Sequence, residues 1–238
     1  MKALIFAAGR GERMRPLTDH TPKPLLHVGG KPLIVWHLER LAQLGVREVV
    51  INTSWLGSQF PAVLGDGARW DLRIHYSHEG TEPLETGGGM LHARHLLGES
   101  PFYVVSADIF CDMDLSLLPQ SPGGLAHLAL VDNPPHHPTG DFALDEAGVV
   151  HVDHNTAPRL TYSGIGVFRA ALLDDWHTVA AAEPGASAHP PRFKLVTLLR
   201  AACARGMVSG QHHRGEWADV GTPQRLRELD DALRGISR

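Results

Sequence analysis

Cysteine and lysine are both scarce in this sequence. Its 238 residues include two cysteines, Cys111 and Cys203, and four lysines, at positions 2, 23, 31 and 194. The two cysteines match no metal-binding spacing, and so few thiols favour a reduced, cytoplasmic protein over a disulfide-stabilised secreted one. The N-terminal apolar run is too short for a signal peptide, and no run approaches the length of a membrane span. We therefore expect a cytoplasmic protein with no membrane segment.

An excess of positive charge is also lacking. The formal net charge is −4 with histidine neutral, so bulk charge gives no reason to expect nucleic-acid binding. The 16 histidines make the true charge depend on pH. The pairs His136–His137 and His212–His213 have no cysteine or carboxylate at a zinc-binding spacing, so we predict surface loops for both.

The first half alternates between strand and helix patterns. Strands are predicted at 2–7, 48–53, 72–77 and 102–106, with helices between them. The second half is richer in strands, predicted at 126–131, 142–144, 149–152, 162–168 and 207–212, with helices over 193–204 and from Pro223 onwards. This order predicts an α/β fold with a Rossmann-like, mixed and mainly parallel sheet flanked by helices. Ligands of such folds bind at the carboxyl ends of the strands.

The loop after the first predicted strand combines glycine with positive charge. Gly9 and Gly11 allow backbone N–H groups to approach a ligand closely. Arg13 and Lys23 offer cations that bind phosphate oxygens. Pro24 restricts Lys23 to extended conformations, so its ammonium is positioned at little entropic cost. These features predict a site for a polyanion.

The same stretch resembles the N-terminal signature of the sugar-1-phosphate nucleotidyltransferases. The shared strings are Ala-Ala-Gly-x-Gly-x-Arg-Met-x-Pro-Leu-Thr at 7–18 and Pro-Lys-Pro-Leu at 22–25. The alternative, a Rossmann dinucleotide turn in an oxidoreductase, requires a third glycine where Met14 stands and a helix that Pro16 obstructs. The resemblance implies the nucleotide-diphospho-sugar transferase fold as one domain over 1–238. Residues 1–110 would bind the nucleotide, and residues 111–238 the sugar.

The resemblance also implies a reaction and a set of site residues. A nucleotidyl group passes from a nucleoside triphosphate to a sugar 1-phosphate, and Mg²⁺ neutralises the phosphates. The implied catalytic residues are Lys23 and Arg13; the implied nucleotide-binding residues are Ala7, Ala8, Gly9, Gly11, Glu79, Thr86 and Gly87; and the implied metal ligands are Asp108 and Asp219. Asp108 follows a predicted strand and also suits a turn or helix cap. Asp219 likewise suits a strand end before a helix capped by Thr222.

Two segments depart from the family pattern. Glu85 stands where the family's base-binding string has glycine, and it is either a ligand or a carboxylate that favours a helix N-terminus. The family's Glu-Lys-Pro is replaced by Asp-His-Asn-Thr-Ala-Pro at 153–158. Lys194 is the available substitute for the missing lysine, with a solvated helix residue as the alternative. Asp141, Ser163 and Gly164 match family positions near the sugar.

Finer strings point to a subfamily. Pro-Leu-Glu-Thr-Gly-Gly-Gly, Gly-Asp-Phe and Phe-Lys-Leu resemble the N-acetylmuramate-1-phosphate uridylyltransferases of peptidoglycan recycling. This resemblance implies UTP and N-acetylmuramic acid 1-phosphate as substrates and a monomeric enzyme. Alternatives are transfer to glucose, mannose or N-acetylglucosamine 1-phosphate or to phosphocholine, and a non-catalytic regulator that binds a nucleotide sugar.

Overall fold

The computed structural model describes residues 1–153 and 157–235. Its strands are β1 (Lys2–Phe6), β2 (His27–Val28), β3 (Lys31–Pro32), β4 (Glu48–Thr53), β5 (Arg73–His78), β6 (Phe102–Ser106), β7 (Ile109–Cys111), β8 (Ala126–Val131), β9 (Phe142–Leu144), β10 (Val150–His151), β11 (Arg159–Phe168), β12 (Val208–His213) and β13 (Trp217–Asp219). Its α-helices are α1 (Leu33–Gln43), α2 (Gln59–Leu64), α3 (Glu85–Leu97), α4 (Trp176–Val179), α5 (Leu195–Ala204) and α6 (Pro223–Leu233).

Nine of these strands form one mixed sheet. Its order is β10-β9-β11-β6-β1-β4-β5, with β8 paired to β11 and β12 paired to β8. The strands β6, β1, β4 and β5 run parallel, and β11 joins them antiparallel to β6. The longest ladders, β4–β5 and β8–β12, are parallel and contain six residue pairs each. The mixed, mainly parallel sheet predicted from the sequence is therefore confirmed.

Apolar layers cover both faces of the sheet. Successive side chains of a strand point to opposite faces, so Ile5 of β1 packs with Leu38 of α1, whereas Leu4 packs with Met90 of α3. All four of these side chains are fully buried. Burying one such side chain contributes about 1.5–3 kcal/mol. The two layers hold the loops at the carboxyl edge of the sheet in fixed positions.

The last helix packs against the N-terminal loop. The Thr222 hydroxyl accepts the Arg225 N–H at 3.3 Å and caps α6, as predicted. Leu226 and Leu229 of this helix share a small apolar cluster with Met14. Helix α6 thus packs against the glycine-containing loop that follows β1.

Most element boundaries lie within a few residues of the predictions, and one interpretation is wrong. His212 and His213 lie in strand β12, not in a surface loop. Their side chains lie 2.9 Å from Asp132 and 2.7 Å from Asp112, and pairing of β12 with β8 gives that segment its extended backbone. The pair His136–His137 does lie in a loop, between β8 and β9. Among the described helices, none is both long and apolar enough to cross a membrane.

Candidate active site

A cavity of about 680 Å³ opens where parallel strands of the first half end. Phe6, Asn52 and Ser106, at or next to the ends of β1, β4 and β6, contribute to its wall. Much of the remaining wall comes from the loop after β1 and from the segment between β5 and α3. The cavity therefore occupies the edge at which α/β sheets bind their ligands.

The loop after β1 forms one wall of this cavity. Gly11 has a φ of 64°, and an added Cβ would lie 2.9 Å from Thr18 Cγ2, so this position requires glycine. The Gly11 carbonyl accepts the Thr18 hydroxyl and the Met14 N–H, both at 2.8 Å. These contacts fix a tight turn. The predicted nucleotide-binding residues of this loop, Ala7, Ala8, Gly9 and Gly11, all line the cavity.

Arginines of the same loop carry positive charge into the cavity. Arg13 lines it and forms no ion pair with any residue in the described part of the chain. Arg10 also lines it but is paired with Glu82, and its guanidinium lies 6.0 Å from the Trp55 ring centre. Arg13 is thus the loop arginine that is available to a bound anion without breaking an existing pair.

Lys23 brings an ammonium group to the base of the cavity. It begins a 3₁₀ turn, Lys23–Leu25, directly after Pro22. Only 8% of the residue is exposed, and its Nζ donates to Asp108 Oδ2 at 2.7 Å. A cation held this rigidly needs no reorganisation when charge develops on a substrate beside it.

The two predicted metal ligands are brought together by the pairing of β7 with β13. Asp219 lies opposite Ile109 in that ladder, and the Val220 N–H donates to the Asp108 carbonyl at 2.8 Å. The strands therefore place Asp219 next to the cavity edge, although the residues are more than a hundred positions apart. The Asp219 carboxylate is paired with Arg225 and lies 3.0 Å from His136.

The donor set fits a hard divalent cation, which prefers carboxylate oxygens. Asp108 lines the cavity, and its side chain is 46% exposed. Its second oxygen has no hydrogen-bond partner among the described residues. Asp219 does not line the cavity, although Gly221, two residues later, does. Asp108 is therefore the better placed ligand, and Asp219 would have to loosen its contact with Arg225 to join it.

A buried carboxylate organises the opposite wall. Glu79 Oε1 accepts the Asn52 amide at 2.6 Å, and Oε2 accepts the Leu84 N–H at 2.7 Å. Asn52 in turn accepts the Ala7 N–H at 2.6 Å. Burial raises the pKa of the Glu79 carboxyl to about 7, against the opposing effect of the hydrogen bonds from Leu84 and Asn52. This network ties the loop after β1 to the segment before α3.

Asn52 was not singled out from the sequence. It is the polar residue near the end of the apolar string Glu-Val-Val-Ile-Asn-Thr, so a polar side chain at a strand's carboxyl end was the available signal.

The segment at the start of α3 contains two of the predicted nucleotide-binding residues, Thr86 and Gly87. Thr86 lines the cavity as expected. The Gly87 N–H, however, donates to the Phe193 carbonyl at 2.9 Å, and the residue is buried. That donor is therefore already used within the protein, and nucleotide binding by the backbone of Gly87 stays a prediction. Glycine is needed there for packing, since an added Cβ would lie 2.5 Å from the Phe193 ring.

Glu85 has a position that suits both roles that the sequence left open. It is the first residue of α3, where a carboxylate interacts favourably with the helix dipole. It is also exposed and lines the cavity. Its φ of 61° lies in the left-handed region, which explains why a glycine suits this position in the family pattern.

The predicted sugar residues Ser163 and Asp141 are engaged inside the second half. Ser163 is 1% exposed, and its hydroxyl donates to the Ala129 carbonyl at 2.8 Å. The hydroxyl points into the interior, so a sugar contact by the Ser163 side chain has no support in this geometry, and a place for Ser163 near the sugar stays a prediction. Asp141 accepts the Tyr162 N–H at 2.9 Å and lies 3.0 Å from His137. Neither residue lines the cavity.

Gly164 and Lys194 also lie outside the cavity wall. Gly164 has a φ of 84°, and an added Cβ would lie 2.6 Å from Ser106 Oγ, so it allows β11 to approach a cavity residue closely. Lys194 is exposed and caps α5 without a side-chain hydrogen bond. Half of the string at 153–158 that replaces the family's Glu-Lys-Pro, residues 154–156, lies outside the described residues. Arg192, which the sequence analysis did not select, does line the cavity.

A second group of polar side chains lies outside the cavity wall. Potential ligand atoms of Cys111, Asp112 and His213 lie within 4.8 Å of one another, so the expectation that no cysteine or carboxylate accompanies the histidine pairs is wrong for His213. Burial raises the pKa of the Cys111 thiol, which disfavours the thiolate that binds metals. The His213–Asp112 contact at 2.7 Å satisfies the other two groups.

Comparisons with known proteins agree with this geometry. The family model described as nucleotidyl transferase matches residues 2–234. An N-acetylmuramate alpha-1-phosphate uridylyltransferase of Neisseria meningitidis is 49% identical, with 99% of each chain covered. A Caulobacter vibrioides protein of the same name is 32% identical, over 93% of this chain and 92% of its own.

More distant matches carry names that specify other activities. A mannose-1-phosphate guanyltransferase of Aspergillus fumigatus is 30% identical over 94% of this chain and 62% of its own. A Bacillus anthracis structure, described provisionally as a glucose-1-phosphate thymidylyltransferase, superposes with a TM-score of 0.82 at 18% identity, covering 100% of this chain and 97% of that one. This last likeness bears on the fold alone.

Proposed function

The chain belongs to the nucleotidyl transferase family, and we propose that it transfers the uridylyl group of UTP to N-acetylmuramic acid 1-phosphate. The products are UDP-N-acetylmuramic acid and pyrophosphate. The choice of substrates follows the Neisseria meningitidis relative, which aligns over almost the whole chain. The observation that carries the mechanism is the buried Lys23 ammonium held against Asp108 at the base of a glycine-lined cavity.

The chemistry requires charge neutralisation and alignment. An oxygen of the sugar phosphate attacks the α-phosphorus of UTP, and the bond to the pyrophosphate oxygen breaks. No general base is needed, because a phosphate monoester is already an anion at neutral pH. Lys23 stabilises the charge that develops at the α-phosphate, and Arg13 holds the β- and γ-phosphates. Such fixed charges supply catalysis through preorganisation and positioning.

Asp108, with Asp219, would hold Mg²⁺ in this proposal. When bound, the ion neutralises phosphate oxygens of both substrates. Chelation of divalent cations should therefore stop turnover, and added Mg²⁺ should restore it.

The nucleotide base lies against the wall formed by residues 79–86. Glu79 and Asn52 act on it indirectly, since their hydrogen bonds fix the backbone of Ala7 and Leu84 on either side. Glu85 and Thr86 line the same wall. Residues 1–110 thus bind the nucleotide, and the second half completes the sugar side, where Lys194 and Asp141 stay predictions.

The proposed enzyme is a cytoplasmic monomer that acts in peptidoglycan recycling. The enzyme consumes a sugar 1-phosphate, which a kinase or phosphomutase reaction has to supply. Gel filtration tests the oligomeric state.

The test of function is pyrophosphate release with Mg²⁺ across a grid of substrates. UTP, GTP, CTP, ATP and dTTP are each combined with N-acetylmuramic acid, N-acetylglucosamine, glucose and mannose 1-phosphates and with phosphocholine. We expect selective turnover of UTP with the muramate. Selective turnover of another pair would keep the reaction type and replace the substrate. Nucleotide-sugar binding without turnover of any pair would favour a regulatory protein.

A further inference from the structure

One unpaired cation of the cavity has no role in the mechanism above. Arg10, Arg13 and Lys23 all come from the N-terminal segment that binds the triphosphate. Arg192 is the cavity-lining cation from the second half of the described chain. Its guanidinium forms no ion pair or hydrogen bond with any described residue, and the residue is exposed.

The backbone around Arg192 is held on both sides. Its N–H donates to the Gly185 carbonyl at 2.9 Å. Gly185 packs closely on the stem of this arginine, since an added Cβ would lie 2.8 Å from Arg192 Cβ. The next residue, Phe193, is fully buried, and its carbonyl accepts the N–H groups of Gly87 and Gly88 at 2.9 and 3.0 Å.

The Phe193 ring adds a further restraint. It stacks on Trp176 with ring centres 5.3 Å apart and an interplanar angle of 5°. The start of the Arg192 side chain is therefore fixed relative to the first turn of α3, and its guanidinium remains free at the cavity wall. A side chain with a fixed stem and an unpaired head is suited to bind a ligand group without a large loss of conformational entropy.

The proposed substrate carries an anion that similar sugars lack. N-acetylmuramic acid is N-acetylglucosamine with a lactyl ether, and that ether ends in a carboxylate. Glucose, mannose and N-acetylglucosamine 1-phosphates have no second anionic group. A guanidinium binds carboxylates through two parallel hydrogen bonds. Other candidates on the sugar side are less suitable, because Lys194 lies outside the wall and Asp141 is itself an anion.

From this geometry we infer that Arg192 binds the lactyl carboxylate and thereby selects N-acetylmuramic acid 1-phosphate over neutral sugar 1-phosphates. The inference rests on the proposed function. It assigns Arg192 to sugar specificity, whereas Lys23, Arg13 and Asp108 serve the transfer reaction itself.

The test compares two substrates that differ at this carboxylate. One is N-acetylmuramic acid 1-phosphate, and the other is its neutral analogue in which the carboxylate is a methyl amide. For Arg192→Gln, kcat/KM with the carboxylate substrate should fall about 10- to 100-fold, the range for losing a charged hydrogen-bonded pair. With the methyl amide the change should be less than about threefold, and the KM for UTP should be unchanged.

Two further variants serve as controls. Arg200→Gln makes the same chemical change at an exposed position of α5, outside the cavity wall, and should match the wild type. Arg192→Lys keeps the charge but loses the two-pronged geometry, so its loss should lie between those of the wild type and Arg192→Gln. Equal thermal unfolding of all variants would show that the substitutions leave the fold intact.

The outcomes separate this inference from the proposed function. Equal losses with the carboxylate and amide substrates would overturn the inference and assign Arg192 to the sugar phosphate or ring. Unchanged kcat/KM with both substrates would also overturn the inference, because Arg192 would then be a solvated surface residue with no part in substrate binding. In both cases the proposed function stands if the wild type still prefers the muramate. A wild type that prefers a neutral sugar 1-phosphate would overturn both.

Discussion

The two halves of the chain contribute to the cavity very unequally. Residues before 110 supply the glycine loop, Lys23, Asp108 and the wall at 79–86, whereas the second half supplies Arg192 and Gly221. In the first half, most of the proposed phosphate-binding residues lie in the single loop after β1, and their glycines and cations can be recognised in the sequence. In the second half, the residues predicted to contact the sugar are mostly used to hold strands together. In the proposed function, transfer chemistry therefore belongs to the first half, and the second half selects the acceptor.

The largest effect should follow removal of the central charge pair in the first half. Lys23→Met keeps the buried stem but removes the ammonium, and Asp108→Asn removes its partner and the proposed metal ligand. We expect each to lower kcat by at least about 10²–10³, the range for losing one preorganised electrostatic group. Pyrophosphate release under saturating substrates measures the effect, and unchanged circular dichroism shows that the fold is kept. A nearly active Asp108→Asn variant would remove Asp108 from the metal site.

A second test concerns the buried carboxylate that ties the first-half segments together. Glu79 has a folded pKa of about 7 against an ordinary value of 4.5. The folded state therefore binds this proton more tightly than the unfolded chain, so its contribution to the unfolding free energy is highest below pH 4.5 and declines as pH rises through 7. The decline should be about 3 kcal/mol, at 1.36 kcal/mol per pKa unit.

Comparison of the wild type with Glu79→Gln between pH 4.5 and 8 isolates this effect. The unfolding free energy of the wild type should fall relative to the variant as the pH rises. His37, whose pKa burial lowers to about 4, acts in the opposite direction but is present in both proteins. Glu82→Gln, at an exposed pair with Arg10, should keep the wild-type slope. A constant difference between wild type and Glu79→Gln would contradict the assignment.

The third test asks whether the second half's Ser163 stabilises the fold instead of contacting the sugar. Ser163→Ala removes the hydroxyl that donates to Ala129 and accepts the Ile165 N–H at 3.1 Å. We expect a loss of about 1–3 kcal/mol of unfolding free energy, because buried backbone groups lose their partner. The sugar-phosphate KM should stay within about twofold of wild type. A large increase in the KM for the sugar phosphate at unchanged stability would instead support a sugar contact by Ser163.

The smallest effect should come from Glu85. The left-handed backbone of Glu85 costs roughly 1–2 kcal/mol for a residue with a Cβ. Glycine removes this cost, but its greater freedom in the unfolded chain offsets part of the stabilisation. Glu85→Gly should therefore stabilise the protein by about 0.5–1 kcal/mol in denaturant titration. Glu82→Gly, where φ is not positive, should instead destabilise it. Stabilisation in both or neither would argue against backbone strain at Glu85.

Most of the cavity-lining residues of the first half could be predicted from the sequence because their signals are local. The glycine loop, the proline-flanked Lys23 and the apolar strand before Asp108 each lie within a short segment, and the parallel arrangement then brings the strand ends together. The meeting of Asp108 with Asp219 could be expected only from the family pattern, since it depends on the β7–β13 ladder.

The cavity-lining residues of the second half could not be predicted from local signals. The register of β11 against β8 shifts between Tyr162 and Gly166, so simple alternation does not determine which face Ser163 occupies. Arg192 lies after a long segment without periodicity, and its place depends on contacts with Gly185 and with the first turn of α3. In the sequence, Arg192 is only a single cation beside Phe-Lys-Leu. Without those contacts, nothing in the sequence indicates that it lines the cavity.

The most direct test of the central claim follows the two ends of the triphosphate separately. The enzyme is incubated with N-acetylmuramic acid 1-phosphate and Mg²⁺, using UTP labelled at either the α- or the γ-phosphorus. Attack at the α-phosphorus predicts that the α-label enters the nucleotide sugar and the γ-label leaves in pyrophosphate. Appearance of the γ-label in the sugar product, or of the α-label only in free uridine phosphates, would contradict nucleotidyl transfer by this site.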